Sequence, residues 1–293
     1  MSTRISTLSP AAEAARVYRG ILAEASREAD RSRGRLRGLW RGGPAAGAAD
    51  LERAIAAAEA APGKILKSGP RIRVLRATLF GRDALVKRYD LSRLSDRAKY
   101  LFRPSRARRA WAAGRALARL GIPTPEPLGF LEVYAGPVAV RSYAITAFMP
   151  DARSARKWIK PWFARQSPPF REAFRQELLE TLLTLYRKGV YHADTKAANL
   201  LLRAPEDPAR RAFFWIDLEC VKFGVVPTRH QIVRNLVQLN GSLGSKVSED
   251  DRMAFLRDMA AHYPWLMKPD VAPRIRAWTR RRLLKELRLW CGS

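Results

Sequence analysis

A His, an Asp, a Lys and an Asn fall within residues 192–199: His192, Asp194, Lys196 and Asn199. A carboxylate at Asp194 can orient a hydroxyl and accept its proton late in a displacement. An ordinary carboxylate pKa is enough for that task. The amide oxygen of Asn199 can ligate Mg2+ while its nitrogen fixes the loop. Lys196 can neutralise a phosphoryl group in transfer. His192 joins the catalytic set as the residue whose imidazole braces the loop by hydrogen bonding. Together they suit phosphoryl transfer to a hydroxyl. Taken singly each has a plainer reading: a turn Asp, a turn Asn, one more surface Lys, a satisfied core His.

Such a loop needs elements to hold it. Glu177–Arg187 has a helical period and leads into it; Leu200–Leu202 reads as a strand leaving it. Asp217 ends the apolar run Phe213–Ile216, where an unpaired carboxylate is costly to bury. A magnesium ion bridging ATP phosphates would satisfy it, so Asp217 and Asn199 are the expected metal ligands. Glu219 has two readings, a share of that metal or a salt bridge. Lys87, in the strand Ala84–Tyr89, is placed to pair with nucleotide phosphates. Ser68-Gly69-Pro70 and Gly81 match a glycine-rich phosphate loop poorly. The spacing His-x-Asp-x-Lys-x-x-Asn is that of the kinase catalytic loop. The order of Lys87, the loop and Asp217 is that of the protein-kinase-like fold.

The expected architecture is α+β and bilobal: a helical extension with a basic linker over 1–61, a small β-rich N-lobe over 62–149 and a helical C-lobe over 150–293. In the extension, Pro10–Asp30 and Ala49–Ala61 read as helices and Arg31–Gly47 as the linker. The N-lobe reads as hairpin Arg71–Leu79/Ala84–Tyr89, helix Leu101–Leu120, then strands Leu128–Val133 and Val138–Phe148. Phe213–Leu218 should pair with Leu200–Leu202. Helices are expected over Ser154–Gln166, Glu172–Lys188, His230–Leu243, Glu249–His262 and Ala272–Trp290.

The 293 residues carry 55 basic and 27 acidic side chains, a formal charge of +28. An anionic partner follows, and charge alone does not choose among nucleic acid, a membrane face and a phosphorylated glycan. Two cysteines imply no disulfide framework and a reducing compartment. The start of the chain lacks the continuous apolar region of a secretory signal, and no apolar run is long enough to span a bilayer.

Several stretches resemble the lipopolysaccharide core kinases, the Kdo and heptose kinase group (Kdo/WaaP family): Ala84–Asp90, Ser105–Leu128 with its Gly121-Ile122-Pro123-Thr124-Pro125 exit, Gly189–Leu202, Trp215–Glu219, Arg234–Leu236 and the region Asp251–Phe255. The resemblance spans roughly residues 64–262. It implies a cytoplasmic kinase, peripheral at the inner face of the inner membrane of a Gram-negative bacterium. It also implies ATP and Mg2+ as cofactors and a sugar hydroxyl of the lipid A–core oligosaccharide as acceptor. By position it makes Lys87 the nucleotide lysine, Asp194 the base, and Asn199 and Asp217 the metal ligands. Two departures stand out. No acidic residue occurs between Leu101 and Pro125, so a helix-borne partner for Lys87 is missing, with Asp96 and Glu126 as substitutes. Asp217 is followed by Leu218-Glu219 rather than Phe-Gly. The basic-aromatic stretch Arg153–Arg165 and the amphipathic stretch Arg274–Trp290 are candidates for a membrane surface or phosphorylated sugar, or else ordinary packed helices. Three other functions compete: a kinase for a small molecule or protein, a pseudokinase on an anionic surface, and, ranked last, a nucleic-acid binder.

Overall fold

A computed structural model describes residues 8–29, 35–44, 46–61, 65–91, 103–243 and 247–291; for 160, 161 and 282–291 it describes the backbone alone. Asp96, residues 101–102 of the expected helix and the apolar positions Leu283–Trp290 therefore lie outside the described side chains. The chain forms two compact units. One comprises Glu13–Met149 with the short segment Asp217–Val221; the other comprises Pro150–Ile216, the chain from Lys222 onward and the residues up to Ala12.

The first unit is strand-rich. Its elements are α1 (Pro10–Glu28, from Glu13), β1 (Leu36–Trp40), α2 (Ala48–Ala60), β2 (Ile65–Ser68), β3 (Ile72–Leu79), β4 (Arg82–Asp90), α3 (Arg106–Arg119), β5 (Pro127–Ala135) and β6 (Val138–Ala147). The strands form one antiparallel sheet in the order β1-β5-β6-β4-β3-β2. Buried Leu36, Trp40, Leu51, Ile55, Leu75, Leu79, Val86, Leu131 and Ile145 make a single core, so α2 and β1 are built into the sheet layer. The linker expected over Arg31–Gly47 is thus corrected at its centre: Leu36, Gly38 and Trp40 alternate as a strand and pair with Val133, Leu131 and Gly129. Gly129 permits this approach, because a Cβ there would sit 2.4 Å from the Leu39 carbonyl oxygen.

Helix α3 begins where Ser105 Oγ accepts the Arg108 N–H at 3.0 Å. It ends at Gly121, whose φ of +69° is the left-handed helix exit that glycine favours. Trp111 of α3 packs on Phe130 of β5, with ring centroids 5.5 Å apart. A buried ion pair between Arg108 and Glu132 joins the same two elements, and Arg108 Nη1 also donates to Ser26 Oγ of α1 at 3.1 Å.

The second unit is mostly helical. It contains β7 (Ala152–Ser154), α4 (Ala155–Trp162), α5 (Pro168–Arg187), β8 (Val190–His192), β9 (Leu200–Arg203), β10 (Ala212–Trp215), β11 (Val221–Phe223, from Lys222), α6 (Arg229–Leu243), α7 (Glu249–His262) and α8 (Val271–Cys291). The expected β9/β10 hairpin is present, with β7 added beside β9; β11 pairs with β8. In α4, Ala155 and Ile159 are buried, and Trp162 packs edge-on against Phe170 at 5.1 Å. The apolar side of this stretch is therefore spent within its own unit, while Arg156 and Lys157 stay exposed. In α8, Ile275 and Thr279 are buried, and Asn240 Nδ2 of α6 donates to Thr279 Oγ1 at 3.1 Å, the packed-helix alternative for its described half.

Candidate active site

Helix α5 stops at Lys188, and Gly189, at φ +69°, turns the chain into β8. His192 ends β8, and the loop after it carries Asp194, Lys196 and Asn199. Asn199 Nδ2 donates to the Asp194 backbone oxygen (2.8 Å) and to Asp194 Oδ2 (3.0 Å). Lys196 Nζ lies 3.1 Å from the same Oδ2. With its amide nitrogen committed, Asn199 has its side-chain oxygen to offer a cation. The Asp194 carboxylate stays partly open to solvent, as a proton acceptor for an incoming hydroxyl must.

His192 is fully buried and stacked on Trp215 at 5.2 Å. The Asp194 N–H donates to His192 Nδ1 at 3.2 Å, so the ring proton sits on Nε2 and is donated to the Ile216 carbonyl at 3.0 Å. This neutral imidazole ties the loop to the end of β10. Its ring is enclosed, and its two hydrogen bonds make it a brace beneath Asp194.

A row of polar residues on α6 holds the loop from inside the unit. Asn235 Nδ2 donates to the His192 carbonyl (3.1 Å), and its Oδ1 accepts from Tyr186 (2.7 Å). Gln238 accepts the Thr195 N–H (3.0 Å) and donates to the Ala193 carbonyl (2.9 Å). Ser242 Oγ accepts the Ala197 N–H at 2.8 Å. Four backbone groups of residues 192–197 thus find partners in three neutral side chains of α6.

The strand-rich unit holds the other group. Lys87 on β4 forms an ion pair with Asp217, and its Nζ lies 3.1 Å from Glu219 Oε1 and 3.4 Å from Oε2. Tyr89, two residues along β4, donates to Glu219 Oε2 at 3.2 Å. Burial works against the Lys87 charge, but the carboxylates of Glu219 and Asp217 outweigh it and hold the ammonium pKa above the usual lysine value. Burial pushes the Glu219 carboxyl up, Lys87 pulls it back, and Asp217 adds to the rise. Asp217 is in the left-handed region (φ 65°, ψ 49°), a conformation disfavoured by about 1 kcal/mol for a side-chain-bearing residue. That turn starts the short helical turn Leu218–Cys220 and brings both acids of the Asp-Leu-Glu run to one lysine. Glu126 is not the Lys87 partner; it pairs with Arg82 at 2.6 Å. The salt-bridge reading of Glu219 holds.

Among the described residues no three His, Cys, Asp or Glu side chains form a ready-made metal cage. Mg2+ needs none: it binds one or two protein oxygens together with substrate phosphates and water. Asn199 in one unit and Asp217 in the other each offer a hard oxygen of the kind Mg2+ takes.

The profile of the lipopolysaccharide kinase (Kdo/WaaP) family matches residues 77–258, which include every residue of both groups. The chain belongs to this family. Among solved structures, "WaaP in complex with acyl carrier protein" aligns with a TM-score of 0.55 at 23% identity, covering 78% of this chain and 91% of that one. The fold is therefore the WaaP kinase-like fold. A search of curated protein sequences gives no match. As a member of a kinase family, the chain is a phosphotransferase that uses a nucleotide substrate. Elements α1, β1, α2 and β2 precede the matched span.

Asp194, Lys196, Asn199 and His192 form one group, and Lys87 and Asp217 are joined in the other. The supporting residues Asn235, Gln238 and Ser242 lie outside the set expected from the sequence. Their spacing, three and then four residues apart among buried Ile232, Val233, Leu236 and Leu239, puts polar groups on one helical face within apolar neighbours.

Proposed function

We propose that this protein transfers the γ-phosphoryl group of ATP to a sugar hydroxyl, of Kdo or heptose, in the lipid A–core part of lipopolysaccharide. The observation that carries this reading is the Asp194 carboxylate, held by Asn199 and Lys196 inside a span that belongs to a lipopolysaccharide kinase family. In the proposed reaction the acceptor oxygen forms a bond to the γ-phosphorus as the bond to the ADP oxygen breaks. Asp194 orients the hydroxyl and takes its proton, which then passes to solvent. Lys196 offsets charge on the phosphoryl group and Lys87 binds the nucleotide phosphates. Mg2+, held through Asn199 and Asp217, would neutralise the phosphate oxygens and orient the leaving group.

The acceptor is densely anionic and embedded in a membrane, which agrees with a net charge of +28. No helix among the described residues is long and apolar enough to cross a bilayer; the proposed acceptor and the basic charge support a peripheral enzyme on the cytoplasmic face of the inner membrane. The WaaP structure is that of a complex with acyl carrier protein, and a carrier-protein partner is part of this proposal. Co-purification with tagged carrier protein would test it. The acceptor is tested by supplying Mg-ATP with purified lipid A–core oligosaccharide, a generic protein substrate or small-molecule alcohols. A new phosphomonoester on the oligosaccharide, read by 31P NMR, is expected. Transfer to the protein or small molecules alone would replace the acceptor and keep the reaction class.

A further inference from the structure

We infer that Glu219 is the positioning residue for Lys87 and performs the task that a helix-borne carboxylate performs in other kinase-like sites. This rests on the kinase reading of Lys87. Helix α3, Arg106–Arg119, has no acidic residue at all. Its charged link to the sheet is the buried Arg108–Glu132 pair, which fastens α3 to β5 without reference to Lys87. Lys87 is instead gripped from the Asp217–Glu219 turn. Glu219 reaches it with both oxygens, is itself held by the Tyr89 hydroxyl, and is less exposed than Asp217 (16% against 31%).

The two acids have different freedom. Asp217 is the more open and is the proposed metal ligand. Glu219 is the more enclosed and is bound at two points. When Asp217 turns to a cation, Glu219 still holds the ammonium in place for the nucleotide phosphates. Two carboxylates on one lysine thus let a single turn provide both the metal ligand and the lysine's anchor. The position of Lys87 does not then depend on where α3 sits.

The test is nucleotide binding, read by calorimetry with ADP in EDTA and again with Mg2+, on full-length wild type, Glu219→Gln, Lys87→Met and the double variant. Glu219→Gln should weaken ADP binding about 10- to 100-fold, the range for a lost hydrogen bond to a charged group. The loss should be the same with and without Mg2+, and Glu219→Gln should add little once Lys87 is already Met, because the carboxylate acts through the lysine. Unchanged ADP affinity in Glu219→Gln overturns the inference. So does a loss seen only with Mg2+, which would make Glu219 a metal ligand. If Glu219→Gln does not fold, Tyr89→Phe replaces it, with a smaller but equally Mg2+-independent loss expected and unchanged affinity overturning the inference. Wild-type protein that binds no adenine nucleotide overturns the kinase reading, and this assignment with it.

Discussion

The catalytic loop and the Lys87 group are held by opposite means. Apart from the Lys196–Asp194 ion pair, the partners that hold the His192–Ala197 backbone are neutral: an imidazole, two amides and a hydroxyl, each paired with a backbone group and largely buried. Around Lys87 the partners are charged, with two carboxylates against one ammonium. Neutral buried hydrogen bonds are specific in geometry and indifferent to salt and to pH near neutrality. A half-buried set with one excess negative charge is different. On the proposed reading, Asp217 can turn to a cation while Glu219 keeps the lysine in place for phosphates. The first arrangement suits residues that must not move during a proton transfer, and the second suits residues that exchange partners when the nucleotide arrives.

The Arg108–Glu132 pair sharpens this comparison, since it is charged yet wholly buried. Arg108→Met leaves Glu132 as an uncompensated buried charge and should cost about 3–5 kcal/mol of stability in urea unfolding. A loss under about 1 kcal/mol would mean the pair is open to water. Next in size, Gln238→Leu strips partners from the Thr195 amide and the Ala193 carbonyl, an expected loss of about 2–4 kcal/mol. That loss should be equal at low and high salt; a strong salt dependence would break the contrast between the two regions.

For Lys87→Met the signature is pH. The folded-state pKa of Lys87 lies above the ordinary value of 10.5, so its stabilising contribution is complete below pH 10.5 and is lost as pH rises through the folded value. The stability gap between wild type and Lys87→Met should therefore be flat through neutral pH and close in alkali. A gap unchanged in strong alkali would contradict the ion-pair account. Smallest of all, Tyr89→Phe removes one hydrogen bond from Glu219 and should cost under about 1.5 kcal/mol of stability.

Much of the site was legible because its signals are local. The Asp194–Asn199 spacing, the apolar run ending at Asp217 and the hairpin carrying Lys87 all lie in short stretches with clear periodicity. What escaped depends on contacts between distant positions. Strand β1 was hidden among Arg and Gly residues, and only its pairing with β5, permitted at Gly129, makes it a strand. Three-residue strands such as β8 are too short to show a period. The sequence offers Asp96 and Glu126, on either side of the expected helix, as partners for Lys87, whereas the partner lies more than a hundred residues on, where the left-handed turn at Asp217 brings Glu219 to it. The polar face of α6 was visible in principle, but its meaning appears only once the loop backbone lies against it.

The most direct test of the central claim is mass spectrometry of lipid A–core oligosaccharide after incubation with Mg-ATP and either wild type or Asp194→Ala. The expected result is one added phosphate with wild type and a rate lower by about 10²- to 10⁴-fold with Asp194→Ala, the range for loss of a general base. The variant should retain the wild-type unfolding midpoint to within about 1 kcal/mol. Near-normal phosphorylation by folded Asp194→Ala would contradict the account.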